Sequence, residues 1–94
     1  MRILGLLLLD EFKKTHADVR GSLDAWQREV EDAEWRTPQD IKQHHRSADF
    51  LADNRVIFNI KGNSYRLVVK VRYQNGFVVV EWVGTHAEYD KKRF

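Results

Sequence analysis

Residues 54–83 read NRVIFNIKGNSYRLVVKVRYQNGFVVVEWV. This stretch holds three apolar runs rich in β-branched and aromatic residues, which favour strands. The runs are separated by Gly62-Asn63-Ser64 and by Asn75-Gly76, and an Asn-Gly pair between apolar runs is a strong hairpin signal. The sequence therefore predicts three consecutive antiparallel strands joined by tight turns.

Basic residues fall on one face of these predicted strands. Successive side chains of a strand point to opposite faces, so the bases of the middle strand lie together, opposite Leu67 and Val69. The same alternation groups two bases of the preceding strand. We therefore expect one exposed basic face, formed by Arg55, Lys61, Arg66, Lys70 and Arg72.

Charge is distributed unevenly along the chain. Residues 1–40 hold six Lys or Arg and nine Asp or Glu, whereas residues 54–94 hold eight Lys or Arg and three Asp or Glu. Like charges on adjacent strands repel one another, which favours a surface that binds an anion such as RNA phosphate. The alternative is a solvated outer face of the sheet. It explains why these side chains are polar but not why their charges are all positive.

Length and composition limit the possible classes. A chain of 94 residues suits a single domain spanning residues 1–94, and the absence of cysteine excludes disulfides and thiolate metal sites. The leucine-rich start, Met1 to Leu9, is like the beginning of a secretory signal, but Asp10 and Glu11 follow at once. The run is also too short to span a membrane. We therefore expect a cytoplasmic protein without membrane contact, with export as the minor alternative.

Hydrophobic periodicity predicts a first strand at residues 1–5 and two helices after it. Residues 6–16 form the first helix, with an apolar stripe of Leu8, Leu9, Phe12 and His16. A second helix is predicted to be capped by Asp18 and to end near Ala33. Its apolar stripe is formed by Val19, Leu23, Trp26 and Val30. Trp26 is expected to anchor the core.

A short third helix and a loop connect these helices to the sheet. Thr37 suits the N-cap and Pro38 the first helical position, and the helix should end near His44 or His45. Residues 47–54 are predicted as a loop, held to the core by Phe50 and Leu51. The fold class is therefore α+β, a small, mostly antiparallel sheet with helices packed on one face.

Titratable side chains near the last strand suggest acid–base chemistry. His86 and Tyr89 directly follow the last strand. A histidine beside a basic sheet can exchange protons near neutral pH. The alternative is that His86 has only a structural role. Adjacent His44 and His45 lack the i, i+4 spacing of a zinc helix, so no metal is predicted there. Glu81 is expected to form a salt bridge with Arg66 or Arg72, or else to serve as a general base.

Several short sequence motifs resemble those of the HigB family. These proteins are toxins of bacterial type II toxin–antitoxin modules and are similar to RelE. The motifs are W-x-TP-x-DIK from Trp35, ADF from Ala48, NR-x-x-FNI from Asn54, GN-x-YRLVV from Gly62 and VGTHAEYD from Val83. The resemblance runs from about Leu23 to Asp90, and the leucine-rich start departs from it. It implies a RelE-like fold with the order β-α-α-β-β-β.

The resemblance also implies a function and its residues. It implies an mRNA endoribonuclease that generally acts on message bound to the ribosome. RNA can be cut without a metal or a cofactor when a 2′-hydroxyl attacks the adjacent phosphorus, and with His86 beside a basic face we expect that reaction here. The resemblance implies a HigA-like helix-turn-helix antitoxin as partner, in a higher-order complex with an antitoxin dimer. On this sequence it assigns the scissile phosphate to Arg66, acid–base catalysis to His86 with Tyr89 and Lys61 as secondary candidates, and RNA backbone binding to Arg55, Lys70 and Arg72.

Two other functions stay open at this level. The same basic face suits a non-catalytic RNA-binding module, such as a decayed toxin, whose affinity would fall steeply with salt. It also suits a protein-interaction domain that binds an acidic partner. Substitution of Arg66 and His86 separates the nuclease from the RNA-binding module. A binder should lose affinity with loss of Arg66 and hardly respond to loss of His86, whereas an enzyme should lose rate with both.

Overall fold

A computed structural model describes residues 1–92 of the chain. Its elements, in chain order, are β1 (Arg2–Leu4), α1 (Leu6–Thr15), a 3₁₀ turn (Ala17–Val19), α2 (Arg20–Asp32), α3 (Pro38–His44), β2 (Asp49–Phe50), β3 (Arg55–Ile60), β4 (Tyr65–Arg72), β5 (Phe77–Thr85) and α4 (His86–Asp90).

The five strands form one sheet in the order β1-β5-β4-β3-β2. All neighbours are antiparallel except β1 and β5, which run parallel. The α+β class and the mostly antiparallel sheet are confirmed. The implied order β-α-α-β-β-β is present as β1, α1, α2, β3, β4 and β5, to which the structure adds α3, β2 and α4.

One face of the sheet packs against the helices and forms the core. Alternate residues of β3 and β4, such as Phe58 and Leu67, meet the predicted stripe of α2. Leu23 and Val30 of that stripe are fully buried, and Trp26 packs edge-on against Phe58 with ring centroids 5.5 Å apart. The prediction that Trp26 anchors the core is confirmed.

The predicted stripe of the first helix is confirmed at Leu9, Phe12 and His16 but is wrong at Leu8. Leu9 is buried and Phe12 partly buried, but Leu8 is 45% exposed and Leu7 is 70% exposed. Gly5 turns the chain from β1 into α1 with a left-handed φ of 85°. Among residues 1–92, none of the helices is both long and apolar enough to cross a bilayer.

The entry to α2 was also predicted wrongly. Asp18 lies in the 3₁₀ turn and α2 begins at Arg20, so Asp18 does not cap that helix. Its carboxylate instead accepts hydrogen bonds from Lys61 and Tyr65. By contrast, the predicted cap of α3 is confirmed, since the Thr37 hydroxyl accepts from the Asp40 amide in a capping box.

The predicted loop at residues 47–54 contains a two-residue strand. Asp49 and Phe50 pair with Ile57 and Val56, which places β2 at the edge of the sheet. Phe50 is 40% exposed there, so its expected role as a core anchor is wrong. Ala48, one residue before the edge strand, is 1% exposed and lies in the core instead.

Candidate active site

The face of the sheet opposite α1, α2 and α3 carries most of the predicted basic residues. We call it the outer face and define it by alternate residues of the three long strands. They are Arg55, Ile57 and Asn59 of β3, Arg66, Val68, Lys70 and Arg72 of β4, and Phe77, Val79, Trp82 and Gly84 of β5.

At one end of the outer face, Arg66 and His86 are in direct contact. An Nη nitrogen of Arg66 lies 3.0 Å from Nε2 of His86. A guanidinium can only donate, so Nε2 must accept, and the ring of His86 then carries its proton on Nδ1. That nitrogen lies 3.2 Å from a carboxylate oxygen of Asp90, which completes a chain of three side chains.

The fold brings these residues together through the end of β5. Arg66 pairs with Gly84 across β4 and β5, so the residues that follow Gly84 emerge next to Arg66. Thr85 then caps α4 with Glu88 in a capping box, which turns the chain at His86. The hydrogen bond from the Thr85 amide lowers the pKa of the Glu88 carboxyl. His86 is held further by its backbone amide, which donates to the Ser64 carbonyl at 3.1 Å.

Aromatic rings surround Arg66. Its guanidinium lies 4.6 Å from the centre of the Tyr89 ring, in a cation–π arrangement, and the rings of Tyr89 and Trp82 are 6.0 Å apart. The indole of Trp82 lies across Gly84, since a Cβ at Gly84 would be only 2.5 Å from two indole carbons. The site thus combines a guanidinium, an imidazole and two aromatic rings.

Three of the four residues predicted for catalysis meet here, but Lys61 does not. β3 ends at Ile60, and Lys61 has a left-handed φ of 53°, which breaks the strand alternation that predicted its direction. Its ammonium lies 3.1 Å from Asp18, whose carboxylate also accepts from the hydroxyl of Tyr65, a core residue. The expectation that Lys61 shares the outer face is therefore wrong.

The Asp18 cluster has an electrostatic consequence. The hydrogen bonds from Lys61 and Tyr65 lower the pKa of the Asp18 carboxyl. The same contact raises the pKa of the Tyr65 hydroxyl, because it stabilises the protonated phenol. The cluster ties the turn between β3 and β4 to the start of α2.

The remaining predicted bases do lie on the outer face. Arg55 pairs directly with Lys70 across β3 and β4, and Arg72 is exposed two residues further along β4. Arg55, Arg66 and Lys70 are partly buried, which the sequence did not predict. Glu81 forms the expected salt bridge, but with Arg55 at 2.7 Å instead of Arg66 or Arg72. This contact raises the pKa of Arg55.

Sequence reasoning missed two members of the site, Asp90 and Trp82. Asp90 follows His86 by four residues, which puts both on one face of a helix, but α4 itself was not predicted. Trp82 and Gly84 are two residues apart in a strand, and this spacing places both on the same face. The spacing of His86 to Asp90 and that of Trp82 to Gly84 are therefore the sequence signals from which Asp90 and Trp82 could have been identified.

Metal-ligating clusters are a separate question. Within the described residues 1–92, no three His, Cys, Asp or Glu side chains are grouped to hold a metal ion. His45 instead packs edge-on against Phe58, with ring centroids 5.0 Å apart, and lies 3.6 Å from Glu29. Burial lowers the pKa of His45.

Comparison with known proteins places the chain in a family. A search of curated proteins finds no match. Residues 19–92 match the family described as HigB toxin, RelE-like toxic component of a toxin-antitoxin system. The match includes Arg66, His86, Tyr89 and Asp90, and it leaves out β1 and α1, which carry the leucine-rich start. The chain therefore belongs to the HigB toxin family and is the toxic component of a toxin–antitoxin system, which implies an antitoxin as its partner.

Proposed function

We propose that this toxin is an endoribonuclease that cleaves mRNA by metal-independent attack of a 2′-hydroxyl. The observation that supports the proposal best is the contact of Arg66 with Nε2 of His86, whose other ring nitrogen faces Asp90. An Asp–His pair that fixes the tautomer keeps Nε2 as the unprotonated ring nitrogen, whose lone pair Arg66 occupies until a phosphate binds. A cation next to that nitrogen is where a phosphate group would bind.

The proposed reaction needs one base, one acid and one cation. When a bound phosphate draws the Nη–H of Arg66 away from His86, the lone pair of Nε2 is freed. Nε2 then takes the proton of the 2′-hydroxyl as its oxygen attacks the adjacent phosphorus. The bond from phosphorus to the 5′-oxygen breaks, and Tyr89 is the proposed donor of a proton to that oxygen. The products are a 2′,3′-cyclic phosphate and a 5′-hydroxyl. Acid–base assistance of this kind contributes roughly 10²–10⁴-fold in rate.

Arg66 has the second role in the proposed reaction. Negative charge grows on the non-bridging oxygens of the phosphate in the transition state, and a fixed guanidinium stabilises it where it develops. Its Nε–H is buried without an acceptor among residues 1–92, so the Nη groups are the donors proposed to bind the anion. The Tyr89 ring beneath the guanidinium restricts its orientation. Such a preorganised donor contributes on the order of 10²–10³-fold.

Other bases of the outer face are proposed to bind the RNA backbone. Lys70 and Arg72 lie along the face beyond Arg66 and suit successive phosphates, whereas Arg55 on the same face is paired with Glu81. Each phosphate neutralised on single-stranded RNA contributes a slope of about 0.7 in the dependence of log affinity on log salt. We leave Lys61 out of the cleavage step, because its ammonium is bound to Asp18.

The cellular setting follows from the resemblance to the family. We propose that the substrate is message on the translating ribosome in the cytoplasm. We further propose that the antitoxin is a HigA-like helix-turn-helix protein, whose dimer forms a higher-order complex with the toxin. Translation would stop because the message is cut.

Expression of the chain alone and with its neighbouring reading frame tests this function. We expect growth arrest with cleaved mRNA, and recovery when the neighbour is co-expressed. Arg66→Ala, produced at the same level, should abolish the arrest. The new RNA ends should be 2′,3′-cyclic phosphates and 5′-hydroxyls. Intact mRNA during sustained expression of the folded chain, or ends that carry a 5′-phosphate, would contradict the proposal.

A further inference from the structure

A carboxylate lies in the middle of the basic outer face. The register of β5 against β4 shifts by one residue, since Val68 pairs with Trp82 and Val69 with Val80, and this leaves Glu81 as the extra residue of a bulge. Bulges redirect a side chain and are common beside functional sites. Here the Glu81 side chain reaches across β4 to Arg55 of β3.

Apolar residues of the outer face are buried, whereas the ion pair remains accessible to solvent. Ile57 and Val68 lie on that face outside the main core cluster, yet they are only 2% and 0% exposed. The side chains of Arg55 and Glu81 are 29% and 28% exposed. A ligand on the outer face would therefore meet both charged groups.

The geometry of the pair leaves further hydrogen-bonding capacity. Nε of Arg55 donates to one oxygen of Glu81 at 2.7 Å. A carboxylate has about four acceptor sites on its two oxygens, and a guanidinium has five N–H donors. The pair thus presents acceptors beside donors within one small area.

A carboxylate at this position disfavours phosphate and favours a base. Phosphate oxygens are repelled by Glu81, whereas base N–H groups are donors to it. Guanine carries two adjacent donors, N1–H and the N2 amino group, with the acceptor O6 beside them. Two donors match the two oxygens of Glu81, and O6 matches a terminal N–H of Arg55. Uracil offers one donor between two acceptors and fits less well.

We infer that Arg55 and Glu81 form a base-reading site that prefers guanine, which sets the sequence preference of the toxin. The inference rests on the proposed function, because it assumes an RNA on the outer face. Glu81 precedes Gly84 by three residues, and Gly84 faces Arg66. At about 3.3 Å per residue the site lies about 10 Å from the phosphate at Arg66, one or two nucleotides away.

Binding of short RNAs tests the inference separately from cleavage. The probes are single-stranded oligomers with a 2′-deoxy residue at every position, which blocks 2′-hydroxyl attack, and with one guanine, inosine, adenine or uracil in a constant sequence. Inosine removes the N2 amino group alone. We expect the wild-type chain to bind the guanine probe about tenfold tighter than the adenine probe, with inosine between them.

Two variants identify the group that is responsible. Glu81→Gln keeps the side-chain shape and should reduce the guanine preference to about twofold, because one acceptor becomes a donor. Asp53→Asn is the matched control, since Asp53 also lies near Arg55 (3.9 Å) but is 72% exposed in the loop before β3. It should keep the full guanine preference. Thermal unfolding of both variants checks that they fold.

Each outcome has a defined meaning. Equal binding of all four probes by the wild-type chain, no binding at all, or an unchanged guanine preference in Glu81→Gln overturns the base-reading site. Cleavage of matched RNA oligomers is measured in parallel. Guanine preference without cleavage would retain the base-reading site and reject the nuclease, whereas cleavage without base preference would do the reverse.

Discussion

At the scale of single residues, the site depends on which nitrogen of His86 carries the proton. Asp90 fixes this by facing Nδ1, and Arg66 faces Nε2. The histidine and the arginine were predicted from their positions on and after the strands. Asp90 was not predicted, because it reaches His86 only through the turn of α4, and α4 was not predicted.

Replacement of Asp90 tests the orientation of His86. Asp90→Ala should lower the rate of RNA cleavage by at least about tenfold, since the ring loses the partner that selects its tautomer. RNA affinity should change little, because Asp90 does not face the phosphate. Single-turnover cleavage and equilibrium binding measure the two quantities. A matched loss in Asp32→Asn, an exposed acid at the end of α2, would show that the effect is only one of net charge.

Replacement of Arg66 tests the cationic role. Arg66→Lys keeps the charge but loses the planar group that contacts both the imidazole of His86 and the ring of Tyr89. We therefore expect cleavage to fall by about 10²-fold and RNA affinity to fall less. Rates and affinities of Arg66→Lys and Arg66→Ala are compared. Full activity in Arg66→Lys would mean that charge alone suffices.

At the scale of elements, strand periodicity predicted the outer face but not its irregular positions. Arg55, Arg66, Lys70 and Arg72 alternate as an ideal strand requires. Lys61 does not, because its left-handed backbone breaks the alternation. A bulge is equally invisible in the sequence, since one extra residue in an apolar run leaves no compositional signal. The partner of Glu81 was therefore missed, although the salt bridge itself was expected.

The contact of Trp82 with Gly84 gives a prediction for β5. A methyl group at Gly84 would lie 2.5 Å from the indole, so Gly84→Ala must displace Trp82 and disturb Tyr89 beside it. We expect the free energy of unfolding to fall by about 1–3 kcal/mol. Urea unfolding followed by tryptophan fluorescence measures this loss.

Gly21 provides the control for that substitution. It lies in α2, and a Cβ there would have no atom within 4 Å outside the helix and its chain neighbours. Gly21→Ala should therefore raise the free energy of unfolding by about 1 kcal/mol, because alanine favours the helix. Equal effects of the two substitutions would contradict the account of the Trp82 contact.

At the scale of the whole molecule, the helical face stabilises the sheet that presents the site. His45 is part of that face, packed against Phe58 and Trp35. Burial lowers its pKa from 6.5, with Glu29 opposing the shift and His44 adding to it. The packing of this histidine was not predicted, because the sequence shows only two adjacent histidines at the end of a short helix.

The lowered pKa of His45 predicts a pH dependence of stability. Between the folded pKa and 6.5 the unfolded chain binds more protons than the folded chain, so stability is complete above 6.5 and falls as the pH drops below it. Urea midpoints at pH 7.5 and at about pH 5.5 should show this decrease. His45→Gln should reduce it, and a decrease of unchanged size in that variant would assign the effect to other groups.

The single-turnover cleavage rate of His86→Ala, with RNA affinity measured on the same protein, tests the role of this histidine in proton transfer. We expect a rate at least about 100-fold below that of the wild-type chain, with affinity within about twofold. The residual products should carry the same 2′,3′-cyclic ends. A wild-type rate in His86→Ala would contradict the claim that this histidine moves the proton.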